Sequence, residues 1–432
     1  MYSIYNLILK LVYKNSPDLS QPTQHINKGY SINKIKSATY RKLILLMIMA
    51  VTFFNQSFTQ SPADHNNLFK NLKNMGFTFG VSESLEGYRN FKGGIQKGNA
   101  YASTFDANLT VDLQKILGLN NGIFYIDFED HAGNNPTSSL TGDAQIFDKH
   151  TSDPFLQTLE FWYQQQLFKN KLRIKVGKVD ANSEYSVIDN GLDFINSSTQ
   201  VSPTFFVFPT FPDPMPGINV FFTPGHFYTK FAVFDANQRD HFLNFYGEPS
   251  LNQPTKQGIL LISESGLTWN TLPVIHNSGN FKVGLWEHNG TFTKYDGSTK
   301  KTAQGIYLIF DQTVWQPPAD TSNNRGISVF LEYGKTEASL TPVSQQFGAG
   351  ILLKGPTASR PDDDCGLSIQ YGGFGPEFNI PEKYELDVET FYNFSLADWL
   401  NIKPDLQYII NPGGLYPNAY VGTLVLNFSM GS

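Results

Sequence analysis

LEFWYQQQLFKNKLRIKV, residues 159–176, is the stretch on which the fold turns. Leu172, Ile174 and Val176 alternate with Lys171, Arg173 and Lys175, so a strand here carries one apolar and one cationic face. A turn at Lys169–Asn170 folds the segment into a hairpin. It sets Leu167 opposite Leu172, and Gln166 and Gln164 opposite Arg173 and Lys175. Both strands then have a greasy side and a hydrogen-bonding side. In a soluble sandwich the polar side meets bulk solvent; in a membrane barrel it meets the lumen. The rest of the chain decides between them.

Period-2 segments separated by turn residues recur from Gly76 onward. Phe77, Phe79 and Val81 alternate with Thr78, Gly80 and Ser82, and Phe124, Ile126 and Phe128 with Tyr125, Asp127 and Glu129. Helical periodicity is confined to Asn66–Met75 and the short DLQKILG that follows the second strand. Glu385, Asp387 and Glu389 share one side of a strand whose other side is Tyr384, Leu386 and Val388. Three like charges in a row would repel in a dry core, so they call for solvent or a water-filled lumen. In the last strand Tyr420, Leu424, Leu426 and Phe428 share a face, although Ser-Met-Gly-Ser follows. The fold expected is all-β: a transmembrane antiparallel β-barrel of about 16 strands, with a short N-terminal helix and long external loops. About 370 residues over 16 strands leaves roughly 23 for each strand with its turn.

The 432 residues include 36 Phe, 21 Tyr, 36 Gly and 24 Pro, and only 16% are charged, a composition suited to many strands and turns. No run reaches the roughly 20 apolar residues of a spanning helix, which excludes helical membrane proteins and leaves barrels open. The longest apolar run, Leu43–Phe54, follows Arg41-Lys42 and precedes a polar stretch. This is the layout of a secretory signal, with a buried strand or helix as the alternative. The expected division is an N-terminal extension and signal peptide over 1–60 and an outer-membrane barrel over 61–432.

Residues 1–60 hold seven basic residues and one acidic, against 32 and 38 in the whole chain. The remainder therefore has 25 basic and 37 acidic residues and a net charge of −12, which argues against nucleic acid as a partner. Cys365 is the sole cysteine. The eight histidines show no HExxH spacing, and no GxSxG or phosphate-binding loop occurs, so no catalytic residue, metal or cofactor is expected. Arg360-Pro361-Asp362-Asp363-Asp364 lacks the glycine and spacing of a calcium loop and reads as a solvated turn with an internal Arg–Asp pair.

Several blocks in a shared order carry a family likeness: GGIQKG (93–98), LTVDLQKILGLNNG (109–122), LEFWYQQQLFKNKLRIKVGKVDANSEYS (159–186), FINSS (194–198), PTFPDPMPGINVFFTP (209–224), KGPTASRPDDDCGLSIQY (354–371) and KYELDVETFYNFSLADWLNIKPDLQYIINPGG (383–414). With these the chain resembles the carbohydrate-selective porins of Gram-negative outer membranes, the OprB type, over nearly all of residues 66–428. The resemblance implies a 16-stranded barrel that admits glucose-like sugars through a narrowed pore.

Strand parity supplies the candidate pore-lining and sugar-binding residues: Glu160, Trp162, Gln164, Gln166, Arg173, Lys175, Glu264, Lys282, Glu332, Glu385, Asp387 and Glu389. Charged and amide groups offer hydrogen bonds to sugar hydroxyls, and an indole offers a stacking face. The stretch Asn196–Pro216 is the candidate for a loop folded into the barrel. The expected partners are small carbohydrates and outer-membrane lipid, with a monomer and a homotrimer both compatible. A general porin and a plugged structural barrel share the same strand grammar. The reading from another class is a secreted β-rich carbohydrate-active enzyme, with a carboxylate pair among Glu264, Glu332, Glu385 and Glu389.

Overall fold

The computed structural model describes residues 62–235, 244–246, 258–271, 277–317 and 325–431; the signal-like segment 1–60 lies outside the described residues. A helix, α1 (Pro62–Met75), precedes sixteen barrel strands. The first eight are β1 (Phe77–Lys92), β2 (Gly98–Asp112), β3 (Gly122–Gly133), β4 (Phe155–Leu167), β5 (Leu172–Val179), β6 (Met215–Phe222), β7 (Phe227–Asp235) and β8 (Ile259–Trp269). The second eight are β9 (Gly279–His288), β10 (Ala303–Trp315), β11 (Gly326–Thr336), β12 (Val343–Lys354), β13 (Asp364–Phe374), β14 (Tyr384–Ala397), β15 (Leu400–Ile410) and β16 (Ala419–Gly431). Each strand pairs antiparallel with the next. β16 returns to β1, with Phe428 opposite Glu83 and Leu426 opposite Leu85, so the sheet closes and leaves no free edge.

Local chemistry sets the links. Between β2 and β3 a short helix, α2 (Leu113–Leu117), starts where the Asp112 carboxylate accepts hydrogen bonds from the Gln114 and Lys115 amides at 3.0 and 3.4 Å. It stops at Gly118, whose φ of 71° suits a residue without a side chain. The expected β4–β5 hairpin has the expected register: Leu167 pairs with Leu172, Gln166 with Arg173 and Gln164 with Lys175.

The barrel end that carries Phe77 and Gly431 has the short links 168–171, 223–226 and 398–399. The opposite end has the long links 134–154, 180–214 and 236–258. Within the last of these, Asn244–Tyr246 pairs with β4 at Leu156 and Gln157.

The outer face is apolar around the barrel, with half-exposed Val176, Ile218, Phe231, Leu261, Leu285, Leu331, Ile369 and Leu424. The inner face departs from the simple alternation of a water-filled channel. Links 134–154 and 180–214 fold inward, and the longer one builds an apolar core inside the barrel. Its Tyr185, Ile188, Phe194, Phe205, Val207 and Phe208 pack against inward-pointing Phe234, Leu260, Ile262, Trp286, Tyr307, Ile309 and Phe330. Phe205 stacks on Phe208 at 4.5 Å and meets Tyr307 edge-on at 5.1 Å. Strands β7 to β11 therefore carry large apolar side chains on both faces, with Lys230, Glu264, Lys282, Asp311 and Glu332 set among the inward ones. In β8, Leu261 and Leu267 point out while Leu260 and Ile262 point in. Each large side chain so buried contributes about 1.5–3 kcal/mol to holding the link in place. Link 134–154 makes a smaller cluster, in which Leu140 and Phe147 pack on Tyr88, Ala100, Ile409 and Val421.

Candidate functional site

The inward links meet a wall studded with charge, and the wall's carboxylates bind their backbone. Glu385 accepts from the amides of Ala144 (2.8 and 3.0 Å), Gln145 (2.8 Å) and Gly413 (2.5 Å). Glu389 accepts from Ile195 at 2.7 Å and Asn196 at 3.2 Å, and Asp387 from the Asn196 side-chain amide at 2.9 Å. Asp311 takes the Asn190 amide at 3.0 Å. Glu264 takes the Ser186 amide at 2.8 Å together with the hydroxyls of Tyr228 (2.9 Å) and Tyr307 (2.8 Å).

The wall's cations and amides complete the set by donating to link carbonyls. Lys282 reaches Val187 at 2.5 Å, Lys403 reaches Asp193 at 2.5 Å, Gln346 reaches Ser198 at 2.8 Å and Gln407 reaches Phe147 at 2.8 Å. Six of the sequence candidates, Glu264, Lys282, Glu332, Glu385, Asp387 and Glu389, point inward as their parity requires. They lie buried beneath the links instead of facing open water. This corrects the expectation of a solvated row at 385–389: the donors that offset the three charges are peptide N–H groups and an amide, not bulk water. Glu332 lies across Gly348, where a Cβ would come within 2.4 Å of its carboxylate.

The other six candidates gather at one place on β4 and β5. Arg173 makes a two-pronged pair with Glu184, at 2.8 and 2.6 Å, and also donates to Gln164 at 3.0 Å. Lys175 pairs with the same Glu184 carboxylate. The Arg173 guanidinium lies 3.6 Å over the Phe221 ring, and the Lys175 ammonium 4.1 Å over Trp162. Trp162 stacks on Tyr125 with centroids 4.8 Å apart. Gln166 pairs with Arg173 across the hairpin, and Glu160 accepts the Asp180 amide at 2.8 Å where the inward link leaves β5. Burial alone would raise the Glu184 carboxyl, but hydrogen bonds and charge from Arg173 and Lys175 hold it below the usual carboxylate range.

Glu184 is a site residue that strand parity could not reach. The inward link starts at Asp180, earlier than the Asn196–Pro216 stretch expected from the sequence, and Glu184 sits in its first turn. The wall fixes that turn from two sides. Lys230 donates to the Glu184 carbonyl at 2.7 Å and pairs with Glu264 at 3.0 Å, while Glu264 holds Ser186, a non-glycine residue at φ 59°.

Among the described residues, two groups bring possible metal-ligating atoms within 4.8 Å of one another: Glu86 with Asp148 and His150, and Asp143 with Glu385 and Asp387. Most of their oxygens already accept hydrogen bonds. Glu86 accepts from Ser84, Tyr88 and His150, Asp143 from Thr141 and the Phe147 amide, and Glu385 from three amides. These groups act as anchors for the links. The Arg360 turn matches its reading, with Arg360 donating to Asp363 at 2.7 Å.

The family described as carbohydrate-selective porin, OprB family, matches residues 96–430. Porin B of Pseudomonas aeruginosa is 22% identical over 395 residues, 80% of this chain and 85% of that protein. The high-pH structure of Pseudomonas putida OprB superposes with a TM-score of 0.74 at 21% identity, covering 85% of this chain and 97% of that one. The low-pH structure of the same protein gives 0.58 at 18% identity over the same shares. At these identities the two structures bear on the fold alone.

Proposed function

The chain belongs to the OprB family of carbohydrate-selective porins and is an outer-membrane channel for sugars; from that premise we propose that Arg173, Glu184, Lys175, Gln164 and Trp162 form its sugar filter. The observation that carries this reading is the shared carboxylate. One anion, Glu184, is gripped by two cations, so the cluster is polar and dense in hydrogen-bond donors while one of its two positive charges is compensated. A neutral polyol gains charge-assisted hydrogen bonds from the half-exposed Arg173, while the Trp162 indole, stacked on Tyr125, holds the Lys175 ammonium over its face. A bare row of cations would instead favour anions.

Passage requires shallow binding, since a site that holds its solute tightly blocks the pore. Millimolar affinity for glucose-like sugars, about −4 kcal/mol, suits the role. The filter's rigidity comes from the anchored turn at 184–186, so the constriction is part of the fold and exists before any sugar arrives. Each barrel is closed on itself and contains a complete set of these groups, so a single copy suffices for passage. Residues 41–60 serve as the export signal that delivers the barrel through the periplasm.

The test is reconstitution in a planar bilayer with glucose titrated against open-channel current. Trp162→Ala, which removes the support of Lys175, and Arg173→Ala should weaken sugar block about tenfold, the loss of one cation–π or charge-assisted contact of roughly 1.4 kcal/mol. Unchanged block in both variants sinks the assignment of the filter. A wild-type channel whose current no sugar alters sinks the selectivity.

A further inference from the structure

The outer wall is mostly apolar, with single charges such as Glu287 and Lys335, but at one corner the β1–β2 hairpin carries Arg89, Lys92 and Lys97 together, all exposed. Arg89 lies on the outward parity of β1. A bulge between Asn90 and Lys92 shifts the register, so Lys92 pairs with outward Tyr420 and emerges on the same face. Lys97 sits in the link between the strands. No acidic residue occurs between Glu86 and Asp106, and Glu86 is buried inward, so this face of the hairpin has three cations and no anion. None of the three has an ion-pair partner among the described residues. The local surplus stands out in a chain whose barrel portion is strongly acidic.

The corner is also rigid. The Asn90 side-chain amide donates to the carbonyls of Gly93 (2.8 Å), Gln96 (2.8 Å) and Leu140 (3.2 Å), and the Gly94 amide donates to Pro417 at 2.8 Å. At Gly93, with φ 70°, a Cβ would lie 1.9 Å from the Asn418 carbonyl, so the turn is seated closely on its neighbour. Arg89 is steadied by Asn99 at 2.8 Å and by the Phe91 ring at 5.6 Å.

Position decides the partner. The hairpin tip lies at the end of the barrel with the long links, the extracellular end of an outer-membrane barrel. Exposed Phe91, Tyr101 and Tyr420 beside the cations are the aromatic rings that mark the headgroup level. At that depth the neighbour of an outward side chain is a lipid headgroup. We propose that this hairpin docks the phosphate groups of an outer-leaflet lipid, with Arg89, Lys92 and Lys97 as the phosphate ligands and the three rings against the sugar or glycerol part and upper acyl chains.

The test uses the full barrel in zwitterionic nanodiscs titrated with fluorescent bisphosphorylated lipid A, with dephosphorylated lipid A, and with inorganic phosphate as competitor. The wild type should bind the bisphosphorylated lipid in preference to the dephosphorylated one, and binding should weaken with salt. Replacing Arg89, Lys92 and Lys97 together by Gln should cost about fivefold for each cation removed. The charge-preserving set Arg89→Lys, Lys92→Arg and Lys97→Arg should retain binding. Lys335→Gln, an exposed cation elsewhere on the outer wall, should leave it unchanged. Lys97→Gln alone, outside the strand ladder, carries the test if the triple variant does not fold.

Equal affinity of the wild type and the folded Gln variants overturns the proposal, as does equal binding of the dephosphorylated lipid. Competition by millimolar inorganic phosphate as effective as the lipid would also overturn it, since the corner would then read a free anion. Sugar block of current should be the same in all these variants, which keeps this result separate from the fate of the sugar filter.

Discussion

Removing the Glu264 carboxylate should loosen the constriction without unfolding the barrel. Glu264 is fully buried and receives the Ser186 amide, two tyrosine hydroxyls and the Lys230 ammonium. In Glu264→Ala the Ser186 amide is left buried without an acceptor, at about 1–3 kcal/mol. Breaking one side of a buried ion pair costs about 3–5 kcal/mol. Lys230 keeps the Glu184 carbonyl and is partly exposed, so the two costs overlap and the loss is about 3–5 kcal/mol of anchoring at residues 184–186. The strand ladder loses nothing, because Glu264 pairs with Lys230 and Gly284 through its backbone. Heat-modified electrophoretic mobility should therefore report a folded barrel. Single-channel recordings should show added current noise and a shift toward anions, as Glu184 no longer sits fixed against Arg173 and Lys175. Limited proteolysis should cut within 180–214 where the parent protein resists. A quiet channel of parental selectivity and protease resistance would refute the anchoring argument, and so would a barrel that fails to fold.

Glu184→Gln should raise anion selectivity several-fold in reversal-potential measurements, since Arg173 and Lys175 then lose their shared counter-charge; unchanged selectivity would remove Glu184 from the filter. The Glu184 carboxyl is held below the usual range, so its contribution is complete above the ordinary carboxylate pKa and is lost only as pH falls through its own lowered value. The selectivity difference between the parent protein and Glu184→Gln should thus persist from pH 7 to about 5 and close only below about pH 4, which current–voltage curves of both over that range can check. Val388→Arg, on the outward face of β14, should cost about 2–4 kcal/mol in folding into bilayers, against little for a charge at an inward, solvated position such as Asn108; denaturant titration in vesicles gives the comparison.

Much of the wall was legible in the sequence because a period of two has only one register that puts every apolar side chain on the lipid side. Leu167 against Leu172 follows from that rule and the turn residues alone. The interior was not legible, for two reasons. First, parity says which way Glu385, Asp387 and Glu389 point but not what covers them; apart from the Gly413 amide, their partners described above are peptide amides and the Asn196 side chain, some 190 to 240 residues earlier in the chain. Second, the strands with apolar side chains on both faces obscure the alternation that marks a barrel, so Leu260 and Ile262 read only as general richness in hydrophobics. Glu184 escaped because it lies beyond Val179, where the period-2 signal ends. The one trace it left was the second of two acids in GKVDANSEYS, a few residues past Arg173 and Lys175.

The apolar core inside the barrel sets a limit on engineering. Cutting out the inward link between 186 and 208 looks like a simple way to widen the channel. It would instead strip Phe234, Leu260, Ile262, Trp286, Tyr307 and Phe330 bare on the lumen side. Water withdraws from a narrow cavity lined by such groups, and a dewetted passage stops ions even when it is wide enough for them. A larger bore in this protein would conduct less.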